Sequence, residues 1–184
     1  MPSQMNAAAL LSSKEKAMEI RIAGTVHDSI VDGPGLRYVV FTQGCPHRCE
    51  GCHNPETHDF CGGRLTDTDK LYEDCVENPL TKGVTFSGGE PFCQAEALYE
   101  LGKRFKERGY HLMSYSGWTF EELLRKAERE EYVGKLLSIL DMLVDGRFLL
   151  SKRSLMLTYR GSSNQRIIDV QRSLSENHVI EVEI

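Results

Sequence analysis

The stretch Gly44-Cys45-Pro46-His47-Arg48-Cys49-Glu50-Gly51-Cys52-His53-Asn54 places three cysteines within eight residues. Their Cys-x3-Cys-x2-Cys spacing supplies three soft thiolate ligands from one short loop, which suits an iron–sulfur cluster or zinc. A four-iron cluster usually takes four cysteine ligands, so three would leave one iron open to a further molecule. Gly44 and Gly51 permit the tight backbone path that wrapping a metal group requires.

Two other arrangements use the same loop. In a structural zinc site, His47 or His53 would close the three thiolates, although no second pair of closely spaced ligands follows in the chain. Alternatively, Cys61 would complete a closed four-thiolate cluster, and the protein would be a simple electron carrier. The spacing of the cysteines alone leaves these alternatives open.

Length, composition and charge are those of an ordinary globular chain. The 184 residues, 40% hydrophobic and 27% charged, fit one domain with its own apolar core. A net charge of −5 gives no reason to expect nucleic acid or a membrane as a partner, and no apolar run approaches the roughly 20 residues of a membrane span. Residues 1–18 lack the pattern of a secretory signal, so we expect a cytoplasmic protein, in which metal binding or catalysis is a better first interpretation of the cysteines than disulfides.

Short apolar runs rich in β-forming residues predict the strands of a sheet. Four such runs cover residues 37–41, 84–86, 111–115 and 140–144. An earlier run, over 19–25, alternates apolar and polar residues and predicts a fifth strand.

Helical spacing of apolar residues lies between the later strands. It predicts helices over 67–77, 94–108 and 119–131, with Thr66 and Thr119 as N-caps of the first and third. Strands that alternate with helices predict an α/β fold with a parallel sheet, either open or partly closed into a barrel.

Each of the four later strands is followed by a glycine-containing segment of unusual composition. These segments cover 42–54, 87–91, 116–118 and 145–147. Because the carboxyl ends of parallel strands share one rim of the sheet, the pattern predicts a single site assembled from four loops.

The later loops offer polar groups that suit a ligand. In Ser87-Gly88-Gly89-Glu90-Pro91, paired glycines let a ligand approach the main chain, whose carbonyls accept hydrogen bonds from an ammonium group. The same letters are typical of an ordinary turn. Ser114 fits either a ribose contact or a helix-capping turn, and Asp145 fits either a ligand contact or a turn at the end of its strand.

These motifs resemble those of the radical S-adenosylmethionine superfamily, and in particular its glycyl-radical-enzyme activases. The resemblance rests on the cysteine spacing after a strand, on Val31-Asp32-Gly33-Pro34-Gly35-Leu36-Arg37 ahead of it, and on Cys52-His53-Asn54-Pro55 at its end. It implies a parallel-stranded partial (β/α) barrel. It also implies two cofactors, S-adenosylmethionine and a 4Fe–4S cluster with three cysteine ligands and one open iron.

The resemblance assigns roles residue by residue. The cluster ligands would be Cys45, Cys49 and Cys52. The contacts to S-adenosylmethionine would come from Gly51, Cys52, His53, Gly88, Gly89, Glu90, Ser114 and Asp145. In that set, His53 would lie beside the adenine, the Gly-Gly-Glu segment would hold the methionyl amino group, and Asp145 would meet the methionine end directly or through a cation.

The second half of the chain resembles the ribonucleotide reductase branch of the activases. The resemblance is carried by Leu143-Val144-Asp145-Gly146-Arg147-Phe148 and Tyr159-Arg160-Gly161-Ser162-Ser163-Asn164-Gln165-Arg166. It implies that an external, flavodoxin-like or similar reductant supplies an electron that cleaves S-adenosylmethionine, and that the 5′-deoxyadenosyl radical then takes hydrogen from a glycine of an anaerobic ribonucleoside-triphosphate reductase. An activase of the pyruvate formate-lyase type and a zinc-stabilised interaction module are the alternatives. We expect 1–18 to be an N-terminal extension and 19–184 a single radical S-adenosylmethionine domain.

Overall fold

A computed structural model describes residues 17–184 as a seven-stranded sheet with five α-helices. The strands are β1 (Glu19–Ser29), β2 (Arg37–Thr42), β3 (Arg64–Asp67), β4 (Gly83–Gly88), β5 (His111–Tyr115), β6 (Met142–Asp145) and β7 (Arg166–Asp169). The helices are α1 (Thr68–Val76), α2 (Ala95–Glu107), α3 (Phe120–Ala127), α4 (Glu131–Ile139) and α5 (Val170–Glu176).

The sheet has a parallel centre and antiparallel edges. Its order is β3-β1-β2-β4-β5-β6-β7, with β2, β4, β5 and β6 parallel to one another. β1 runs antiparallel to both β2 and β3, and β7 runs antiparallel to β6. The predicted α/β fold with a parallel-stranded sheet is confirmed, and because β3 and β7 are its two edges the sheet is open.

The two faces of the sheet have different roles, because successive strand residues point to opposite sides. One face packs against the helices and contributes to the main core through residues such as Phe86, Leu112 and Leu143. The other face carries a smaller apolar cluster formed by Met113, Met142, Val144 and Ile167.

Arg37 ties the loop before β2 to the second face of the sheet. Its guanidinium is fully buried and donates to Thr85 Oγ1 at 2.6 Å, to the Val84 carbonyl at 2.6 Å and to the Pro34 carbonyl at 2.9 Å. Burial lowers the pKa of Arg37 to about 10, which leaves the side chain charged at neutral pH. Thr85 in turn donates to the Asp32 carbonyl at 2.7 Å, so the 30–36 loop is held across this face.

The structure corrects one predicted helix cap and supports another. Thr66 was predicted as the N-cap of the first helix, but it lies in β3, paired with Ile20 of β1. Asp67 caps α1 instead, with its side chain accepting a hydrogen bond from Lys70 N at 2.8 Å. Thr119 caps α3 as predicted, in a reciprocal capping box with Glu122.

Both ends of the described chain pack against the sheet. The predicted extension lies outside the described residues except for its last two. Of these two residues, Met18 exchanges hydrogen bonds with Thr68. The division into an extension over 1–18 and a domain over 19–184 stays a prediction. At the other end the chain crosses β7 with a single antiparallel bridge between Ile168 and Glu181. No helix within 17–184 has the length and apolar composition that crossing a membrane requires.

Candidate functional site

A cavity of about 530 Å³ opens beside the carboxyl ends of the parallel strands. Each of the loops that follow β2, β4, β5 and β6 contributes to its wall, as the order of the motifs predicted. A fifth contribution comes from 154–161, in the long connection between β6 and β7. One cavity thus collects side chains from segments far apart in the sequence.

The loop after β2 brings the three cysteines to this cavity. Cys45, Cys49 and Cys52 all line it. Burial raises the pKa of Cys45 and of Cys52, so both thiols need nearby positive charge to be held as thiolates at neutral pH. The Asn54 N–H lies 3.4 Å from Cys52 Sγ and points a backbone dipole at that sulfur.

Hydrogen bonds within the protein fix the path of this loop. Gly44 N donates to the Thr57 carbonyl at 2.8 Å, and Cys45 N donates to the His58 carbonyl at 3.2 Å. The Gln43 side-chain amide, at the end of β2, donates to the carbonyls of Glu56 at 3.0 Å and Asp59 at 2.6 Å. The base of the loop is therefore closed by the chain's own polar groups.

The glycines after β4 pack directly against the cysteine loop. A Cβ added at Gly89 would lie 2.4 Å from the Gly44 carbonyl oxygen, and one added at Gly88 would lie 2.7 Å from the backbone of Phe41. Gly89 N donates to the Thr42 carbonyl, and Glu90 N donates to the Gly44 carbonyl, both at 2.8 Å. The sequence predicted that these glycines make room for a ligand; the structure adds that they make room for the loop carrying the first cysteine.

Glu90 joins three of the loops and is fully buried. Its carboxylate lies 2.8 Å from His47 Nε2, accepts from Ser116 Oγ at 3.1 Å and accepts from Gly117 N at 2.8 Å. A fourth donor, Phe92 N, lies within the same turn. Glu90 is not part of the cavity wall, and its predicted contact with S-adenosylmethionine stays a prediction.

Ser114 and Asp145 also lie behind the cavity wall. Ser114 is buried in β5, and its hydroxyl donates to the Tyr115 carbonyl at 3.1 Å. Asp145, 1% exposed, accepts from Phe120 N at 2.7 Å and from Arg166 Nε at 3.0 Å. That hydrogen bond to Asp145 raises the pKa of Arg166. The predicted cofactor contacts of both residues therefore stay predictions, while Gly146, next to Asp145, lines the cavity.

An aromatic wall stands beside the third cysteine. His53 lies with its ring centroid 5.0 Å from that of Phe148, and both residues line the cavity. A Cβ at Gly161 would come within 3.0 Å of both rings, so this glycine allows the close packing. Gly51 has a φ of +71°, and a Cβ there would lie 2.9 Å from a methyl group of Leu150. The residue predicted to lie beside an adenine is thus in a planar, partly apolar environment.

Two polar side chains of the cavity were not among the predicted site residues, although the sequence marks Arg160 as part of a polar loop. His58 and Arg160 line the cavity, and one nitrogen of each, His58 Nε2 and Arg160 Nε, is buried and lacks a hydrogen-bond partner among the described residues. Buried polar atoms are rarely left unpaired, so these two nitrogens have hydrogen-bonding capacity that the rest of the chain does not use. His58 has no metal-ligand spacing, and Arg160 lies in a polar stretch that reads equally well as a turn.

The residues proposed to close a zinc site have other contacts. His47 Nε2 is engaged by Glu90, and its ring packs edge-on against Trp118 at 4.7 Å. His53 packs on Phe148. Across residues 17–184, no group of three His, Cys, Asp or Glu side chains converges as the ligands of a single metal ion do.

Comparison with known proteins identifies the family. Residues 31–168 match the model of the 4Fe-4S single cluster domain. The anaerobic ribonucleoside-triphosphate reductase-activating protein of Vibrio cholerae is 34% identical over 146 residues, which cover 75% of this chain and 90% of that protein. The chain belongs to this family of 4Fe–4S activating proteins.

Other members of the family are longer. The pyruvate formate-lyase-activating enzyme of Clostridium pasteurianum is 37% identical over 120 residues, covering 58% of this chain and 50% of that enzyme. The chain spans 50–65% of the length of the pyruvate formate-lyase-activating enzymes that it matches. Among solved structures, QueE from Escherichia coli superposes with a TM-score of 0.48 at 17% identity, over 59% of this chain and 58% of that one.

A 4Fe–4S cluster, the group that the family implies, fits the residues present. Three cysteines of one loop line a common cavity, and soft thiolates are the ligands that such clusters take. The positive charge of iron would offset the burial that raises the pKa of Cys45 and Cys52. The Asn54 N–H aimed at Cys52 is of the kind that stabilises ligating sulfur.

Proposed function

We propose that this chain generates a glycyl radical on an anaerobic ribonucleoside-triphosphate reductase by reductive cleavage of S-adenosylmethionine at a 4Fe–4S cluster. The observation that carries the proposal is that Cys45, Cys49 and Cys52 line one cavity together with His58 and Arg160, each of which has one buried nitrogen, Nε2 and Nε, without a hydrogen-bond partner. Three thiolates leave one iron of a cluster without a protein ligand, and the unpaired nitrogens lie where a polar cofactor would bind beside it.

Each part of the cavity has a task in this function. When bound, the cluster and S-adenosylmethionine would supply the electron and the radical chemistry. The cysteines would hold three irons, and His58 and Arg160 would pair with polar groups of the cofactor such as its carboxylate. His53 and Phe148 would stack beside the adenine.

Besides its predicted contact with S-adenosylmethionine, Glu90 has a positioning role. Its carboxylate fastens the cysteine loop, through His47, to the loop after β5, through Ser116 and Gly117. Because these bonds join both sides of the cavity, they keep the thiols at a fixed distance from the opposite wall. This positioning limits the motion of the reacting groups.

The choice of partner rests on the extent of the match. The reductase-activating relative from Vibrio cholerae is matched over 90% of its length, whereas the pyruvate formate-lyase-activating relatives are matched over 50–65%. We propose the reductase as the substrate, a flavodoxin-like or similar protein as the electron donor, and the cytoplasm as the location. An activase of the pyruvate formate-lyase type is the second candidate, favoured by relatives such as that of Clostridium pasteurianum.

Cluster ligation is tested by replacing each cysteine with alanine. We expect anaerobically reconstituted protein to lose most of its iron and sulfide on changing Cys45, Cys49 or Cys52, and to keep both on changing Cys61 or Cys75. Loss of the cluster on changing Cys61 alone would indicate a closed four-thiolate site and refute the radical mechanism. Zinc in place of iron would support the interaction module instead.

The partner is tested by electron paramagnetic resonance. The cluster-loaded protein is incubated anaerobically with reductant, S-adenosylmethionine and either the reductase or pyruvate formate-lyase from the same organism. We expect the glycyl doublet on the reductase and little on the lyase. The reverse result would preserve the chemistry and overturn the substrate.

A further inference from the structure

The connection between β6 and β7 differs in charge from the rest of the chain. Residues 146–165 contain four cationic and no acidic residues, and a fifth cation, Arg166, follows at the start of β7, in a protein whose formal net charge is −5. Arg166 is engaged by Asp145 and Glu121. Lys152 and Arg153 are exposed, and neither forms an ion pair with any residue from 17 to 184. The connection therefore carries positive charge that its own fold does not neutralise.

Two large apolar side chains stand exposed beside these cations. Leu155 is 84% exposed and Met156 is 92% exposed. They follow Arg153 in the chain, so one short surface presents both positive charge and apolar area to solvent. Adjacent, almost fully exposed apolar side chains next to a functional cavity are typical of an interaction site.

This surface is continuous with the cavity. Ser154, Leu155 and Leu157 line the cavity wall, while Met156 points outward from the same segment. Leu150, in the same connection, packs over Gly51 of the cysteine loop. The segment therefore borders the cavity that the backbone of a partner would enter. We name Lys152, Arg153, Leu155 and Met156 the basic–apolar rim.

We propose that the basic–apolar rim docks an acidic segment of the glycyl-radical partner, with apolar residues of that segment covering Leu155 and Met156. This inference rests on the proposed function and adds the surface that selects the partner. The positive charge of Lys152 and Arg153 attracts an acidic polypeptide at long range, and the apolar pair supplies the desolvated contact that holds it. A second copy of this chain docking rim to rim would bring like charges together, which disfavours self-association through this surface.

Two variants of the cluster-loaded protein test the rim separately for charge and for apolar contact. They are Met156→Ser and the double change Lys152→Glu with Arg153→Glu, none of which alters a residue of the cavity wall. We expect each to weaken binding of the reductase by about tenfold or more, measured anaerobically by interferometry with S-adenosylmethionine present. The double variant should also lose the salt dependence of association. Cleavage of S-adenosylmethionine driven by dithionite without the partner should match that of the parent protein.

Matched controls lie elsewhere on the surface. Leu80→Ser changes an apolar side chain that is 67% exposed in the turn before β4, at the other end of the sheet, and Arg125→Glu with Arg129→Glu reverses two exposed charges near α3. These controls should bind the reductase normally. Rim variants that bind as tightly as the parent, or controls that bind as weakly as the rim variants, would overturn the proposal.

The remaining outcomes distinguish a failure of the rim proposal from a failure of the proposed function on which it rests. Parent protein that cleaves S-adenosylmethionine and activates the reductase, with rim variants doing so equally well, would refute the rim alone. Parent protein that cleaves no S-adenosylmethionine would refute the proposed function and the rim with it. Rim variants that change the oligomeric state of the protein by itself, and not its affinity for the reductase, would assign the rim to self-association.

Discussion

Replacing Gly89 with alanine should destabilise the protein and deplete its cluster through a single added methyl group. The new Cβ would lie 2.4 Å from the Gly44 carbonyl oxygen and 2.9 Å from its carbon. An ordinary contact begins near 3.4 Å, so the two loops must separate by about 1 Å. The Gly44 carbonyl already accepts a hydrogen bond from Glu90 N at 2.8 Å, which resists the movement.

Overpacking of this kind costs about 1–3 kcal/mol. For a domain of this size, each kcal/mol lowers the melting temperature by about 2–4 °C. We therefore expect apo Gly89→Ala to melt about 2–12 °C below the parent, measured anaerobically by calorimetry. Because the displaced backbone adjoins Cys45, reconstitution should also yield less iron per chain.

Gly24→Ala is the matched control, since a Cβ at Gly24 of β1 meets nothing within 4 Å. It should melt within about 2 °C of the parent, as surface substitutions generally do. A Gly89→Ala protein that melts like Gly24→Ala and takes up a full complement of iron would refute the reasoning. The glycine pair would then be a simple turn, free to move away from the cysteine loop.

Three further predictions concern buried and paired groups. Glu90→Gln should cost about 1.5–3 kcal/mol in chemical denaturation, because a buried charged acceptor shared by several donors is lost; an unchanged midpoint would contradict its role as the link between loops. Burial raises the pKa of Cys75 to about 12, so iodoacetamide at pH 8 should alkylate exposed Cys61 well before Cys75, and the reverse order in peptide mapping would contradict the packing. The hydrogen bond from Arg166 lowers the pKa of Glu121 from 4.5 to about 2, so this pair stabilises the fold above pH 4.5 and loses that contribution as the pH falls towards 2. In Glu121→Gln, the free energy of unfolding should therefore fall less steeply with decreasing pH than in the parent, and the difference in slope should correspond to less than one bound proton. Identical slopes would show that solvent fully screens the pair.

The centre of the sheet could be predicted from the sequence because its strands are short, apolar and flanked by glycine. β5 has the predicted bounds, and β2 and β4 extend theirs by one to three residues. The edges were missed for a physical reason. β3 and β7 each have four residues, and in β3 the leucine is exposed and its neighbours are polar. Neither strand therefore shows a clear alternation of apolar and polar residues.

The helices were predicted less well where two of them follow each other closely in the sequence. The predicted helix over 119–131 ends early, because α3 stops at Ala127 and the chain turns before α4 begins at Glu131. Glu128, Arg129 and Glu130 are good helix formers, so composition does not mark this break. Packing of both helices onto the core decides it.

The site was predictable where its chemistry is local and hidden where it depends on contact across the fold. The spacing of Cys45, Cys49 and Cys52 predicted them as ligands of a metal group, and all three line the cavity. The link from Glu90 to His47 joins residues 43 positions apart, and His58 is distinguished only by an unpaired nitrogen. Such relations exist only in the folded chain.

The closed base of the cysteine loop bears on how the protein matures. In many small metal-binding domains the ligand loop is unfolded until the metal arrives, and binding energy is spent on folding it. Here Gln43, Thr57 and His58 already hold the backbone through main-chain and side-chain hydrogen bonds that involve no thiol. We therefore expect the base of the loop to keep the same path whether or not a cluster is bound, so that cluster insertion changes mainly the part of the loop that carries the thiols.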